Sequence, residues 1–158
     1  MTKKTMHDQL AVIADYFNRS TRALDEADSA FAPVEGSFTA AQQVAHVAQT
    51  VEWFFQGAFA AGGFDLDFER LEKGLRAVTS LAAARAWMER ACAAANAAVD
   101  AHTEAEWAEP LPPGPVMGGE PRFAIFGALA DHTAHHRGAL TVYARLRGKT
   151  PPMPYGDM

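Results

Sequence analysis

Near the start of the chain the apolar positions Leu10, Ile13, Phe17, Leu24 and Ala27 recur three and four residues apart, with Ser20 filling one step. That spacing keeps side chains on one face of a 3.6-residue turn and predicts an amphipathic helix over 8–28. Pro33 and Gly36 interrupt the pattern, and Ser37 or Thr39 then offers a side-chain oxygen to cap a second helix. Val44, Val47, Val51, Phe54 and Ala58 continue the spacing until Gly62 and Gly63 stop it. The connector that follows contains FDLDFERLEKGLR, a candidate short helix weakened by Gly74. Thr79 or Ser80 caps a third long helix, in which Leu81, Ala84, Met88, Ala91, Ala95 and Ala98 line one side as far as His102 or Thr103. Residues 109–120, EPLPPGPVMGGE, hold four prolines and three glycines and predict an exposed loop. Pro121 suits the first turn of a last helix, which runs to Arg147 before Gly148 and the Pro151-Pro152 pair.

Four long helices, each with one apolar stripe and no convincing strand between them, predict an all-α antiparallel four-helix bundle. The 158 residues fit one domain spanning 1–158. A hydrophobic share of 49% against 21% charged excludes wholesale disorder. The formal charge of -5, with Lys and Arg spread along the chain, excludes a nucleic-acid groove, which needs a concentrated basic face. No segment approaches eighteen consecutive apolar residues, so no membrane partner is expected. The opening MTKKTMHDQL leads into an amphipathic pattern instead of a signal-peptide apolar block, and a cytoplasmic protein is the expectation. The single cysteine, Cys92, excludes an internal disulfide framework and a Cys-based zinc site. Any metal must be held by histidine and carboxylates.

The last helix repeats Ile125, Leu129, His132, His136, Tyr143 and Leu146 at helical spacing, so two histidines stand where the pattern calls for core. Residues four apart stack on one face, and both imidazoles can therefore point at one centre. The competing reading is a pair of core histidines satisfied by hydrogen bonds; each group left unsatisfied would cost about 1–3 kcal/mol. A third ligand decides between them. His46 is the best candidate, on the flank of the second helix's stripe beside Val47 and close to Gln43 and Thr50. His102 falls at a helix C-terminus, where a protonated ring suits the dipole. His7 is expected in solvent, and His135 lies about 100° round the helix from His136. Asp131 and Glu52 are close enough in sequence to supply a fourth ligand or to hold an imidazole N–H, although surface charge is their default. Cys92 reads as a small buried hydrophobe. Trp53, Phe54, Phe55 and Phe59 read first as core or dimer interface and second as the wall of a substrate pocket. Arg137, Arg145 and Arg147 suit the dipole of the last helix.

The segment DHTAHHRGAL, the GKTPPMPYG that follows the helix end and the lone histidine in TAAQQVAHVAQ together resemble the DinB superfamily of small bacterial proteins, also called YfiT-like. The resemblance covers nearly the whole chain, including the helix order and the Pro/Gly loop before the last helix. It implies a four-helix bundle holding one divalent metal, typically zinc or nickel, through His46, His132 and His136. It also implies metal-dependent thiol transfer or isomerisation using a low-molecular-weight thiol of the mycothiol, bacillithiol or glutathione type, with a small electrophile as the other substrate. Together with the aromatic cluster it points to a homodimer. Many relatives carry Gln where this chain has Ala139, which removes one hydrogen-bonding side chain near the site. Three imidazoles leave a divalent ion an open position. On the ligands alone, an activated thiol, a metal-bound water acting as a hydrolase and a noncatalytic stress-related metal protein remain open.

Overall fold

The computed structural model describes residues 1–156, and among them the regular structure is helical. Four long helices dominate: α1 (Lys3–Thr21), α2 (Ala40–Phe59), α4 (Leu81–Ala101) and α6 (Ile125–Leu146). Two shorter ones, α3 (Phe68–Arg76) and α5 (Glu104–Ala108), lie in the connections. Each start carries its own chemical reason. Thr2, Thr39, Asp67, Ser80 and Thr103 accept hydrogen bonds from the first turns of α1 to α5, which satisfies backbone donors that have no partner within the helix. At α2 and α5 the cap is reciprocal, because Gln42 and Glu106 reach back to the backbone of Thr39 and Thr103.

The first helix begins earlier and ends earlier than its apolar spacing predicts. Thr2 caps it at Lys3, and the chain leaves the helix at Arg22. Residues 26–28 then form a separate 3₁₀ turn, closed by reciprocal bonds between Asp25 and Asp28. Leu24 is buried beyond the helix end, whereas Ala27 is exposed. The five-residue α5 is an element that periodicity cannot show, being too short to repeat. The loop over 109–120 forms as expected but is tied at its base. Leu111 N–H donates to Glu120 O at 2.7 Å and Arg122 N–H to Glu109 O at 2.9 Å, while the Leu111 side chain is buried.

The long helices close a ring in which α1 packs on α4 and α6, and α2 packs on the same two. Lys3 Nζ donates to Asp100 O and Arg85 to Thr21 O, so α1 and α4 are antiparallel. The α2–α6 pair is antiparallel too, since Phe55 meets Phe126 while His46 meets His136. The other two pairs run parallel. Phe59 stacks on His102 at the far ends of α2 and α4, and Arg137 lies over Tyr16 where Phe126 borders Thr5. This direction scheme requires the chain to return along α2 between residues 60 and 80, and α3 lies on that return path. Trp53 Nε1 donates to Asp65 O at 2.7 Å, Gln49 to Leu71 O at 3.2 Å and Gln42 to Arg76 O at 3.0 Å. The crossover therefore runs antiparallel beside α2, next to His46.

The core is one continuous apolar cluster drawn from all four long helices, α3, α5 and the connections. Alanines dominate the α4 face, with Ala84, Ala91 and Ala95 buried, which lets α2 approach closely. The segment after α6 is fastened back to the α1–α2 connection. Arg147 Nε and Lys149 Nζ pair with the buried carboxylate of Asp28 at 2.9 and 2.5 Å. Burial alone would raise that carboxyl, but hydrogen bonds from Lys149, the Asp25 backbone and Arg147 pull it down to about 2.

Candidate metal centre

His46 sits in the second turn of α2, on the side turned toward α6, and His132 and His136 face it from successive turns of α6. The rings are 4.9 Å apart for His46 and His132, 4.7 Å for His46 and His136 and 4.3 Å for His132 and His136. They meet through the same atom. His132 Nε2 lies 3.2 Å from His46 Nε2 and 3.1 Å from His136 Nε2. One ring nitrogen from each of the three falls within 4.8 Å of the others, a grouping that can hold a metal ion. Among the described residues no carboxylate or thiol joins it.

Two observations test whether a divalent ion fits. Donors bound at 2.0–2.1 Å in a tetrahedral shell stand about 3.3 Å apart, close to the Nε2 separations present. The second observation concerns the opposite ring nitrogens. His46 Nδ1 and His132 Nδ1 are buried without a hydrogen-bond partner among the described residues, so the rings are positioned by what their Nε2 atoms face. An ion would require the proton of each ring on Nδ1, and two of those N–H groups would remain unpaired.

His136 differs, because the buried Gln43 amide lies 2.9 Å from its Nδ1. With the amide nitrogen donating, the ring proton belongs on Nε2. A half-turn of the amide presents Oε1 instead, moves the proton to Nδ1 and frees the Nε2 lone pair. Thr50 adds a hydroxyl 3.4 Å from His132 Nε2 and donates its own proton to His46 O at 2.9 Å.

The surroundings favour the neutral form of all three rings. Burial lowers His46, with the neighbouring His135 adding to the effect. His132 is pushed down to about 4 by burial first and then by His46 and His135, against a small opposing pull from Asp131. His136 falls to about 3, again through burial first and then the other histidines. Neutral imidazole is the ligating form.

Beside the histidines lies a cavity of about 330 Å³. Its walls are Phe38, Trp53, Phe54, Phe68, Leu71 and Leu75, and His46, His132 and Thr50 form one end. The aromatic cluster of α2 thus divides. Trp53 and Phe54 face the cavity, whereas Phe55 and Phe59 pack on Trp107 in the core.

The remaining candidates fall elsewhere. Asp131 and His135 are exposed, the latter edge-on to His136 at 4.9 Å. Glu52 faces the alanines of α4. His102 stacks flat on Phe59 at 3.6 Å. His7, expected in solvent, bridges two helices: its Nδ1 is 2.6 Å from Asn96 Oδ1 and its Nε2 3.0 Å from Asp100 Oδ1. The reason is the antiparallel α1–α4 contact, which brings both polar side chains opposite it. Cys92 is half-buried, and burial raises its thiol to about 11, unsuited to a nucleophile.

The family model described as the DinB superfamily matches residues 9–140, from the first core turn of α1 through both histidines of α6. The chain belongs to the DinB superfamily. No curated protein matches it. In this DinB chain the three histidines meet across the α2–α6 seam, and no helix of the described residues is long and apolar enough to cross a membrane.

Proposed function

We propose that this DinB protein binds one divalent metal, zinc or nickel, through His46, His132 and His136 and activates a low-molecular-weight thiol for transfer to a small electrophile. The observation that carries the reading is the meeting of three imidazole nitrogens, two of them from the cavity-lining His46 and His132, with no fourth protein donor among the described residues. A closed structural site would use four protein ligands, whereas three leave a position open to a substrate. A bound divalent ion supplies the Lewis acidity that makes a coordinating thiol a thiolate at neutral pH. The chain's own residues do the rest. Gln43 sets the ring orientation and proton position of His136. The apolar walls exclude water from the sulfur and the electrophile. Thr50 offers the hydroxyl nearest the histidine end. The thiol proton leaves to solvent, the sulfur–carbon bond forms and the leaving group departs with its electron pair. The thiol is of the mycothiol, bacillithiol or glutathione type. A cytoplasmic, single-domain homodimer completes the proposal.

Metal analysis of the purified chain together with a thiol-conjugation assay tests it. About one metal per chain is expected, lost in His132→Ala, and conjugation is expected only in the metal-loaded protein. Activity should survive Cys92→Ala, because the nucleophile belongs to the cosubstrate. Metal-dependent hydrolysis of esters without thiol conjugation would make water the nucleophile. Bound metal that raises thermal stability without any conjugation across a broad thiol panel would make the protein a noncatalytic metal binder.

A further inference from the structure

We infer that the cavity beside the three histidines is a binding site for an uncharged, flat aromatic molecule of one or two rings carrying one hydrogen-bonding substituent. As the identity of the electrophilic substrate this rests on the function proposed above; as a statement about the cavity it can be tested without metal or turnover.

The wall composition carries the argument. Phe38, Trp53, Phe54 and Phe68 contribute four aromatic rings to a space of about 330 Å³, at the small end of ligand pockets. Trp53 and Phe68 are tilted at 50° with centroids 6.3 Å apart, so their faces are not consumed by stacking on each other. Phe68 is 58% exposed, apolar surface that a ring in the cavity would partly cover. Aromatic side chains favour aromatic ligands through edge and offset contacts that an acyl chain does not offer.

Charge excludes ions. Among the described residues Glu72 is the one carboxylate lining the cavity, and Arg76 Nη2 holds it at 3.0 Å while the same guanidinium lies over the Phe38 ring, 4.4 Å from its centroid. No lysine or arginine of the described residues lines the space, so an anionic ligand would lose its hydration without a partner. The polar groups are concentrated at the His46, His132 and Thr50 end, with Gln49 on the wall donating to Leu71 O. A single hydroxyl or carbonyl on the ring would therefore point toward the histidines, leaving the apolar body against α3.

The test is titration of the full chain, both metal-loaded and chelator-treated, with 1-naphthol, 1-naphthoate and 1-decanol, read by calorimetry and tryptophan fluorescence. Naphthol should bind one per chain in both metal states, at least ten-fold more tightly than either naphthoate or decanol. Phe68→Ala, at an exposed position that the fold does not need, should weaken it at least five-fold. Leu71→Trp, which fills the cavity from the surface helix, should abolish it. Decanol binding as tightly as naphthol would make this an acyl pocket, and equal binding of naphthoate would show a cation within reach; either result overturns the inference, as does naphthol binding unchanged in Leu71→Trp. Naphthol binding without metal uptake would remove the proposed function alone, and metal uptake without naphthol binding would remove this inference alone.

Discussion

The seam between α2 and α6 has two ends built from the same kind of part and used differently. At one end Phe55 and Phe126 meet with ring centroids 5.5 Å apart, and Trp107 completes the group 5.8 Å from Phe55 and 5.6 Å from Phe126. At the other, three imidazoles stand between 4.3 and 4.9 Å apart. Ring spacing is similar, but the first end is filled by the chain's own atoms, while the second is half-buried and opens on a cavity. The first end is packed on all sides, and Trp107 Nε1 is its one buried donor without a partner among the described residues. The second buries two imidazole Nδ1 atoms, of His46 and His132, that no described protein group answers, and gathers three Nε2 atoms around one point. Stability should therefore reside in the phenylalanine end and ligand response in the histidine end.

The sharpest way to break that contrast is to truncate each end in turn. Phe126→Ala removes a fully buried ring and should cost about 3–5 kcal/mol, read as a lowered denaturant midpoint at unchanged slope. In metal-free protein His132→Ala should cost less than about 1 kcal/mol, because it deletes a ring whose Nδ1 has no partner. Comparable losses at both ends would mean that the histidines are ordinary core. Added metal supplies the converse measurement. At a hundred-fold excess over its dissociation constant, zinc or nickel should stabilise the wild type by about 2.7 kcal/mol and leave His132→Ala unmoved, by thermal shift.

A third region sets the background against which both ends act. Asp28 is buried and held at about 2 by its partners, so its ionised form favours the folded state. The folded pKa is depressed below the unfolded one near 3.8, so the contribution is fully present above pH 4 and is lost as pH falls toward 2. Its size is about 2 kcal/mol, at 1.36 kcal/mol per unit. Asp28→Asn should destabilise the protein at pH 7 by that order and flatten the decline in stability between pH 4 and 2. A decline of unchanged steepness in Asp28→Asn would place the acid sensitivity elsewhere.

How much of this could be read beforehand follows from what each feature depends on. The long helices and the stacking of His132 on His136 rest on local spacing and on one apolar stripe per helix, both written in linear order, whereas His46, on the flank of its stripe, joins them in the sequence reading through the family resemblance. The parallel pairing of α2 with α4 has no such local origin. It depends on a crossover whose nine-residue helix is too short to fix its direction from spacing, so a pocket wall is readable only as the second reading of the Trp53 cluster, and the part that Phe68 plays in it is not readable at all. Trp107 was hidden for the same reason, since five residues of α5 make no pattern. Asp28 looked like the tail of the first helix because Leu24 continues its stripe, although the Asp25–Asp28 cap had already ended the helix geometry. Partners distant in sequence, such as Lys149 for Asp28 and Asn96 for His7, exist only after folding.

Gln43 offers the finest test of the comparison, because among the described residues it is the one buried polar side chain that answers a histidine Nδ1. If the histidine end is built for an ion, the amide must accept from Nδ1–H when the ion is bound, and its loss should be felt in affinity more than in folding. Gln43→Leu keeps the volume and removes the acceptor, so metal affinity should fall about ten-fold or more, on the order of 1.4 kcal/mol, while metal-free stability stays within about 1 kcal/mol of wild type. Gln43→Glu restores an acceptor, and a stronger one, and should recover the affinity. Competition against a chelating dye at fixed pH measures both. Equal affinity in Gln43→Leu and wild type would mean that His136 does not ligate through Nε2, and the histidine end would then have to be reread as a hydrogen-bonded cluster in which the amide donates.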